Sequence, residues 1–309
     1  MSVRDAIGLR LHAAGPNTQT PGSPSLDGAM ALQLNAHWHN ILRDVAACGP
    51  LHTRIDNGSV SLQAGFAPAS AGVNERTARI DAPGITLAGL TECWAGASLS
   101  RTCPGGRFDR LDIHDHYGSR LLRISLTMES SRTGFNPILL RQWAGRGRPT
   151  GVMHAEGLVD RLARLDQHAG RRLATSLQEG WYDAPHRRHP GSPVDVSLLG
   201  PFLDTLGNQA FPLEVVIGNR GVIQQHVAAL YDFRQSGPRL RLRNRTSEIE
   251  IDTDGIAAAF VTDSMLAEGE RYLRLYDKQH RCAASFGVAD PAEAADRQLW
   301  RTLLRALRN

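Results

Sequence analysis

The sequence predicts an α+β protein built from two tandem structural repeats, each an antiparallel β-sheet with helices packed on one face. Three observations carry this. The segment Arg110 to Ile124 (strand, Asp-initiated turn, strand) recurs as Tyr272 to Phe286. Asn57-Gly58 followed by Val60 recurs as Asn219-Arg220 followed by Val222, under the same offset of 162 residues. Amphipathic helices bracket the strands in both halves.

The strand parity is the strictest of these. Leu111 falls on Leu273, Ile113 on Leu275, Leu122 on Ala284 and Ile124 on Phe286. A slip of one residue would turn any of these strands inside out, so agreement at two distant places argues for one duplicated pattern. Asp115 and Asp277 sit where an Asx-type turn joins two strands. Ahead of the strands, Trp38, Ile41, Leu42 and Val45 form an apolar stripe ended near Gly49-Pro50. Leu198, Leu199, Phe202, Leu203 and Leu206 form its counterpart, ended at Gly207. At the close of the second half, Asp290-Pro-Ala-Glu293 reads as an N-cap with proline at the first helical position. It leads into Leu299, Trp300, Leu303, Leu304 and Leu307, and Pro137 to Trp143 is the shorter equivalent. Residues 153 to 178 read as an amphipathic helical stretch; 183 to 193 and 16 to 27 read as loops. The chain divides into a first repeat module (1–150), an interdomain helix and proline-rich loop (151–195) and a second repeat module (196–309).

Composition excludes several classes. At 309 residues, 41% hydrophobic and 21% charged, the chain buries a core without staples. No run of about 18 apolar residues is available to span a membrane, and the first fifteen residues lack a signal peptide's apolar centre. A cytoplasmic location follows as the expectation. Cys48, Cys93, Cys103 and Cys282 have neither CxxC nor zinc-finger spacing, and read as reduced, mostly buried residues. The net charge of +4 does not point to nucleic acid. Lys278 is the one lysine among 35 basic residues, and the arginines are spread along the chain. Arg239, Arg241, Arg243 and Arg245 alternate with Leu240, Leu242 and Asn244, a strand with one solvated face and no aromatic platform beside it. Arginines on such a face suit the carboxylates of a ligand.

Catalytic motifs are missing from the sequence: no Gly-x-Ser-x-Gly elbow, no phosphate-cradling glycine loop, no HExxH. His114 and His116 form an HxH at a strand end, a spacing metals use, but flank the turn-forming Asp115. His37 and His39 diverge on a helix and read as solvated. His226 shares strand parity with Val222, Ala228 and Leu230 and reads as a buried, hydrogen-bonded core histidine. Glu248 and Glu250 alternate on a strand and read as solvated.

Leu213 to His226, the Tyr272 to Gly287 hairpin and Trp300-Arg301 together resemble the second half of the bacterial cytoplasmic haemin-transport and haemin-degrading proteins. The first half resembles that family too, through Cys48-Gly49-Pro50, the Val60 to Gly65 strand, Trp94, Ile113 to Gly118 and a trimmed N-terminal Arg4 to Gly8. The resemblance implies a cytoplasmic protein that binds and traffics haem in haem-iron utilisation, with haem as bound cargo. Its alternatives are a haem-degrading oxygenase on the same scaffold, or a diverged member acting through another ligand or partner. Haem-delivery or acceptor proteins are implied as partners, with neither nucleic acid nor membrane insertion. The family's axial histidine matches His154, at the start of the interdomain helix, with His168 as a substitute. Its arginine on the opposite side of the iron has no counterpart, because Ala88 occupies that position. In the proline-rich loop, His186, Arg187, Arg188 and His189 are solvated or meet the haem propionates. Chemically, ferric haem asks for a neutral imidazole, an apolar slot and cations for two propionates.

Overall fold

The two Asp-initiated hairpins form as their alternation dictates. Asp115 Oδ1 accepts from the backbone amides of Tyr117 and Ser119, and Asp277 Oδ1 accepts from those of Gln279 and Arg281. Leu111, Ile113, Leu122, Ile124, Leu273, Leu275, Ala284 and Phe286 are all buried. The structure is a computed structural model that describes residues 31–35, 37–74, 77–103, 106–131, 133–142, 191–263, 271–289 and 293–308.

The first half contributes β1 (Leu32–Leu34), β2 (Leu51–Asp56), β3 (Val60–Phe66), β4 (Ser70–Asn74), β5 (Thr77–Ala82), β6 (Ile85–Leu90), β7 (Gly96–Ser100), β8 (Arg110–His114) and β9 (Arg120–Leu126). The second contributes β10 (Ser192–Val194), β11 (Pro212–Gly218), β12 (Val222–Ala229), β13 (Asp232–Ser236), β14 (Arg239–Arg243), β15 (Ser247–Asp252), β16 (Ile256–Asp263), β17 (Arg271–Asp277) and β18 (Cys282–Val288). The described helices are α1 (Trp38–Ala46), α2 (Asn136–Gln142), α3 (Leu199–Asn208) and α4 (Ala294–Ala306).

These strands form two nine-stranded antiparallel sheets, and neither sheet belongs to one half. The first runs β1-β7-β8-β9-β2-β3-β15-β14-β13 and the second β10-β16-β17-β18-β11-β12-β6-β5-β4. Advancing every strand by nine converts one order into the other, so the repeat is also a spatial pseudo-symmetry. Each half lends a three-stranded meander to its mate: β15 pairs with β3, and β6 with β12. A sequence divided into consecutive modules gives no sign of this exchange. Its physical benefit is plain, since β3 and β12 would otherwise end their sheets as open edges. One continuous apolar cluster runs through both halves.

The helices follow their stripes, with corrections at their ends. On α1, Ile41, Leu42 and Val45 are fully buried, and Gly49 takes a positive φ of 82° just after it. Gly207 does not end α3, which runs to Asn208. A Cβ at Gly207 would meet Leu242 Cδ1 at 3.1 Å and Phe233 Cβ at 3.4 Å, so glycine lets the helix lie close to β13 and β14. The chain turns instead at Ala210, φ 46°. Helix α4 has Glu293 as its N-cap residue, not Asp290; Asp290 to Ala292 lie outside the described residues. Trp300 fixes α4 by stacking on Phe211 and donating from Nε1 to the carbonyl of Arg271 at 2.8 Å. Ser192 to Val194, expected at the edge of a loop, form the outermost strand β10 beside β16, an edge where Pro193 is tolerated.

Candidate functional site

Strand parity gives each sheet an inner face, with Ile55 in the first and Ile217 in the second, and an opposite, outward face, and the two outward faces differ in chemistry. Across the first sheet the register aligns Ser98, Asp112, Arg123, Arg54, Gln63, Glu248, Arg243 and Asp232 in one row. The equivalent row of the second sheet reads Phe260, Arg274, Ser285, Val216, Gln225, Thr86, Asp81 and Ser70. The first row is an ion-pair ladder. Arg123 holds both oxygens of Asp112 at 2.7 and 2.8 Å, and Arg243 meets Asp232 at 2.6 Å. Beside it, Arg241 meets Glu250 at 2.7 Å and Glu248 at 3.5 Å. The alternating arginines of β14 therefore neutralise carboxylates of their own sheet, with Leu240 and Leu242 buried beneath.

The second sheet's outward face has lost that ladder. Val216, Ile223 and Ala88 make an apolar floor, each at most 5% exposed. Phe260 and Tyr276 meet edge to face at 5.8 Å beside it. Set into this surface is Arg274, 2% exposed, with its guanidinium 5.8 Å from the centre of the Tyr272 ring. Ser285, directly across from Arg274, and Thr262, diagonal to it, are each 1% exposed. Neither hydroxyl has a hydrogen-bond partner among the described residues. Buried hydroxyls are seldom left unpaired, because the lost hydrogen bond costs about 1–3 kcal/mol. Two of them flank the buried cation of Arg274.

Ala88 lies on this same face and offers no cation, as its side chain requires. Its cross-strand neighbour does: Arg79 on β5 stands directly opposite and pairs through Nε with Asp81 at 2.7 Å. Arg79, Arg274, Ser285 and Thr262 were not singled out in the sequence. A signal existed, since superposing the halves puts Arg274 on Asp112, Ser285 on Arg123 and Val216 on Arg54.

His154, His168, and the loop residues His186 to His189 lie outside the described residues, as do Arg4 to Gly8 and the stretch 153 to 178. His114 and His116 do not converge on a metal. His114 Nε2 meets Ser98 Oγ at 3.1 Å, whereas His116 Nε2 meets the carbonyl of Glu92 at 3.0 Å. No cluster of three metal-ligating side chains occurs among the described residues. His226 is buried on the core face of β12, but among the described residues neither ring nitrogen finds the hydrogen-bond partner expected for it. Gln224, two residues before it on the same face, is equally unpartnered. Their counterparts in the first half are Leu62 and Ala64, ordinary core residues. Burial lowers the His226 pKa to about 4, the neighbouring carbonyl of Gly84 only partly opposing it. The four cysteines are free: Cys48 and Cys282 are buried, Cys93 is half-buried and Cys103 exposed. Burial pushes the Cys48 thiol up to about 11 and the Cys282 thiol to about 12, so neither is a nucleophile at neutral pH. Among the described residues no helix is long and apolar enough to cross a membrane.

No protein-family model matches the sequence, and no curated protein matches it. Solved structures do match the fold. Holo-PhuS, a heme-binding protein from Pseudomonas aeruginosa, superposes with a TM-score of 0.72 at 15% identity, over 90% of this chain and 86% of PhuS. ChuS, described as an E. coli heme oxygenase, superposes with a TM-score of 0.68 at 18% identity, over 90% of this chain and 89% of ChuS. At such identities the likeness speaks for architecture. The chain has the two-repeat α+β fold of PhuS and ChuS.

Proposed function

We propose that this chain binds haem on the outward face of the second sheet and carries it in haem-iron utilisation. The observation that carries this reading is the pair of orphaned hydroxyls, Ser285 and Thr262, around the buried guanidinium of Arg274. A propionate would supply the missing acceptors there, with Arg274 opposing its charge. Val216, Ile223, Ala88, Phe260 and Tyr276 supply apolar side chains against which a porphyrin would pack. Arg79, at the other side of Ala88, stands in reach of the same surface as a second cation. The axial imidazole is assigned to His154, in agreement with the resemblance in sequence. This reading places the protein in the cytoplasm, with a haem donor or acceptor protein as its partner.

Titration of the full chain with haemin, followed by the Soret band, tests it. The expected result is a sharpened band at one haemin per chain, with the band shifted in His154→Ala and the affinity lowered in Arg274→Gln. A band that never sharpens removes haem as cargo. One unchanged in His154→Ala moves the ligand elsewhere. Ring opening, the activity named for ChuS, is the second reading because the fold is shared. Ascorbate added to the loaded chain separates the two, since a carrier keeps its Soret band and a degrading enzyme loses it to a bile-pigment product.

A further inference from the structure

The outward face of the first sheet holds a positive cluster that the ion-pair ladder does not account for. Arg54 on β2 and Arg123 on β9 are directly opposite in the register, an arrangement in which like charges repel. Asp112 is committed to Arg123 through both oxygens. The carboxylate nearest Arg54 is Asp56, whose oxygen is 3.7 Å away, too far for a hydrogen bond. Arg120, at the start of β9, is half-buried, and its side chain makes no hydrogen bond or ion pair with another described residue. Burial and then the charge of Arg123 lower its pKa, with Arg54 acting in the same sense and Asp112 and Asp56 against it. Arg120 stands opposite His114, two residues on from Asp112, so it belongs to the same face.

We propose that this face carries an oxyanion site built by Arg54, Arg120 and Arg123, and that it takes a phosphate group. Arg110, two residues before Asp112 on the same side of β8, adds a fourth cation. Four guanidiniums thus face two carboxylates, a surplus of two positive charges that a phosphate dianion matches. Arginine is suited to the task, since its planar fork donates several hydrogen bonds and stays charged. Cations set on three neighbouring strands fit a tetrahedral oxyanion better than a planar carboxylate. The fold does not need the cluster. In the second sheet, whose pairing is the same, the equivalents of Arg54, Arg120 and Arg123 are Val216, Cys282 and Ser285. The cations were therefore gained or kept on one sheet alone, for a purpose other than pairing strands.

Isothermal titration of the full chain with inorganic phosphate at low ionic strength, where surface charges are least screened, tests the site. The expected result is a saturable heat with one site per chain, and a phosphate-induced rise in melting temperature. Arg120→Gln and Arg54→Gln should each weaken binding at least tenfold and abolish that rise. Arg234→Gln, which removes a cation already paired with Asp232, should leave both within twofold. Arg120→Lys, which keeps the charge, covers the case in which Arg120→Gln does not fold, and should retain part of the affinity. An unsaturable heat, or an affinity equal in wild type and Arg120→Gln, overturns the proposal. Succinate competing as well as phosphate also overturns it, by assigning a carboxylate site. Haemin titration of Arg120→Gln should match wild type, so this site and the haem reading fail independently.

Discussion

Asn57 and Asn219 hold the two halves together by the same reciprocal contact. Asn57 Nδ2 donates to the carbonyls of Gly218 and Ala283 at 3.0 and 2.7 Å. Asn219 Nδ2 donates to those of Asp56 and Leu121 at 3.4 and 2.7 Å. Each amide thus bonds the equivalent pair of strands in the other half, while its own oxygen accepts from the turn that follows. Beside them the carbonyl of Ser59 accepts from the amide of Asp252, and that of Gly221 from Leu90. The turn that repeats in sequence is the clasp at the centre of the exchange.

Asn219→Ala is expected to lower stability by about 1–3 kcal/mol, because it strands buried backbone groups as well as losing bonds. Asn57→Ala should cost less, since Asn57 is only half-buried. Urea denaturation with an unchanged slope checks both; equal, negligible losses would mean that the clasp is incidental.

Gly221 sits at the same junction. A Cβ there would stand 2.6 Å from Leu121 Cδ1 and 3.1 Å from Cys93 Cβ. Gly221→Ala should therefore destabilise by about 1–3 kcal/mol, the usual cost of overpacking, read as a lowered urea midpoint.

His226 makes stability depend on pH. Its folded pKa of about 4 lies below the ordinary value of 6.5, so between these values the unfolded chain binds the extra proton. Stability is complete above pH 6.5, falls as the pH drops towards 4, and loses nothing further from this group below that. The shift corresponds to about 3 kcal/mol over the window. Denaturation midpoints measured from pH 7 to 4 should decline, and His226→Leu should flatten the decline. Burial lowers His52 and His114 in the same direction, which leaves a residual slope in that variant.

Ser285→Ala separates a ligand-receiving hydroxyl from a structural one. Without haemin, removing an unpaired buried hydroxyl should leave stability equal or raise it by up to about 1 kcal/mol. With haemin, the affinity should fall severalfold. Loss of stability in the unloaded chain would show that Ser285 is bonded after all.

The hairpins and helix stripes were legible in the sequence because each depends on neighbours a few residues away. Asp115 and Asp277 turn their strands by binding amides two and four positions on. Ile41, Leu42 and Val45 need only helical spacing to share a face. Gly207 misled as a helix stop, because its role is a close approach to Leu242 and Phe233, more than twenty residues away in the chain. Ala88 was legible only as a side chain without charge, and the cation of Arg79 opposite it was not legible at all. That pairing is a matter of register between β5 and β6.

By itself, the sequence determined the two Asp-initiated hairpins and the apolar stripes of α1 and α3, and that this pattern comes twice. Alternation and turn chemistry are local, and an offset of 162 residues can be read without coordinates. The tertiary structure decided where the borrowed meanders go and which sheet face becomes a ladder of ion pairs or an apolar floor. The reason is that a strand's face acquires its chemistry from residues set beside it by hydrogen-bond register, and in these sheets those residues come from both ends of the chain.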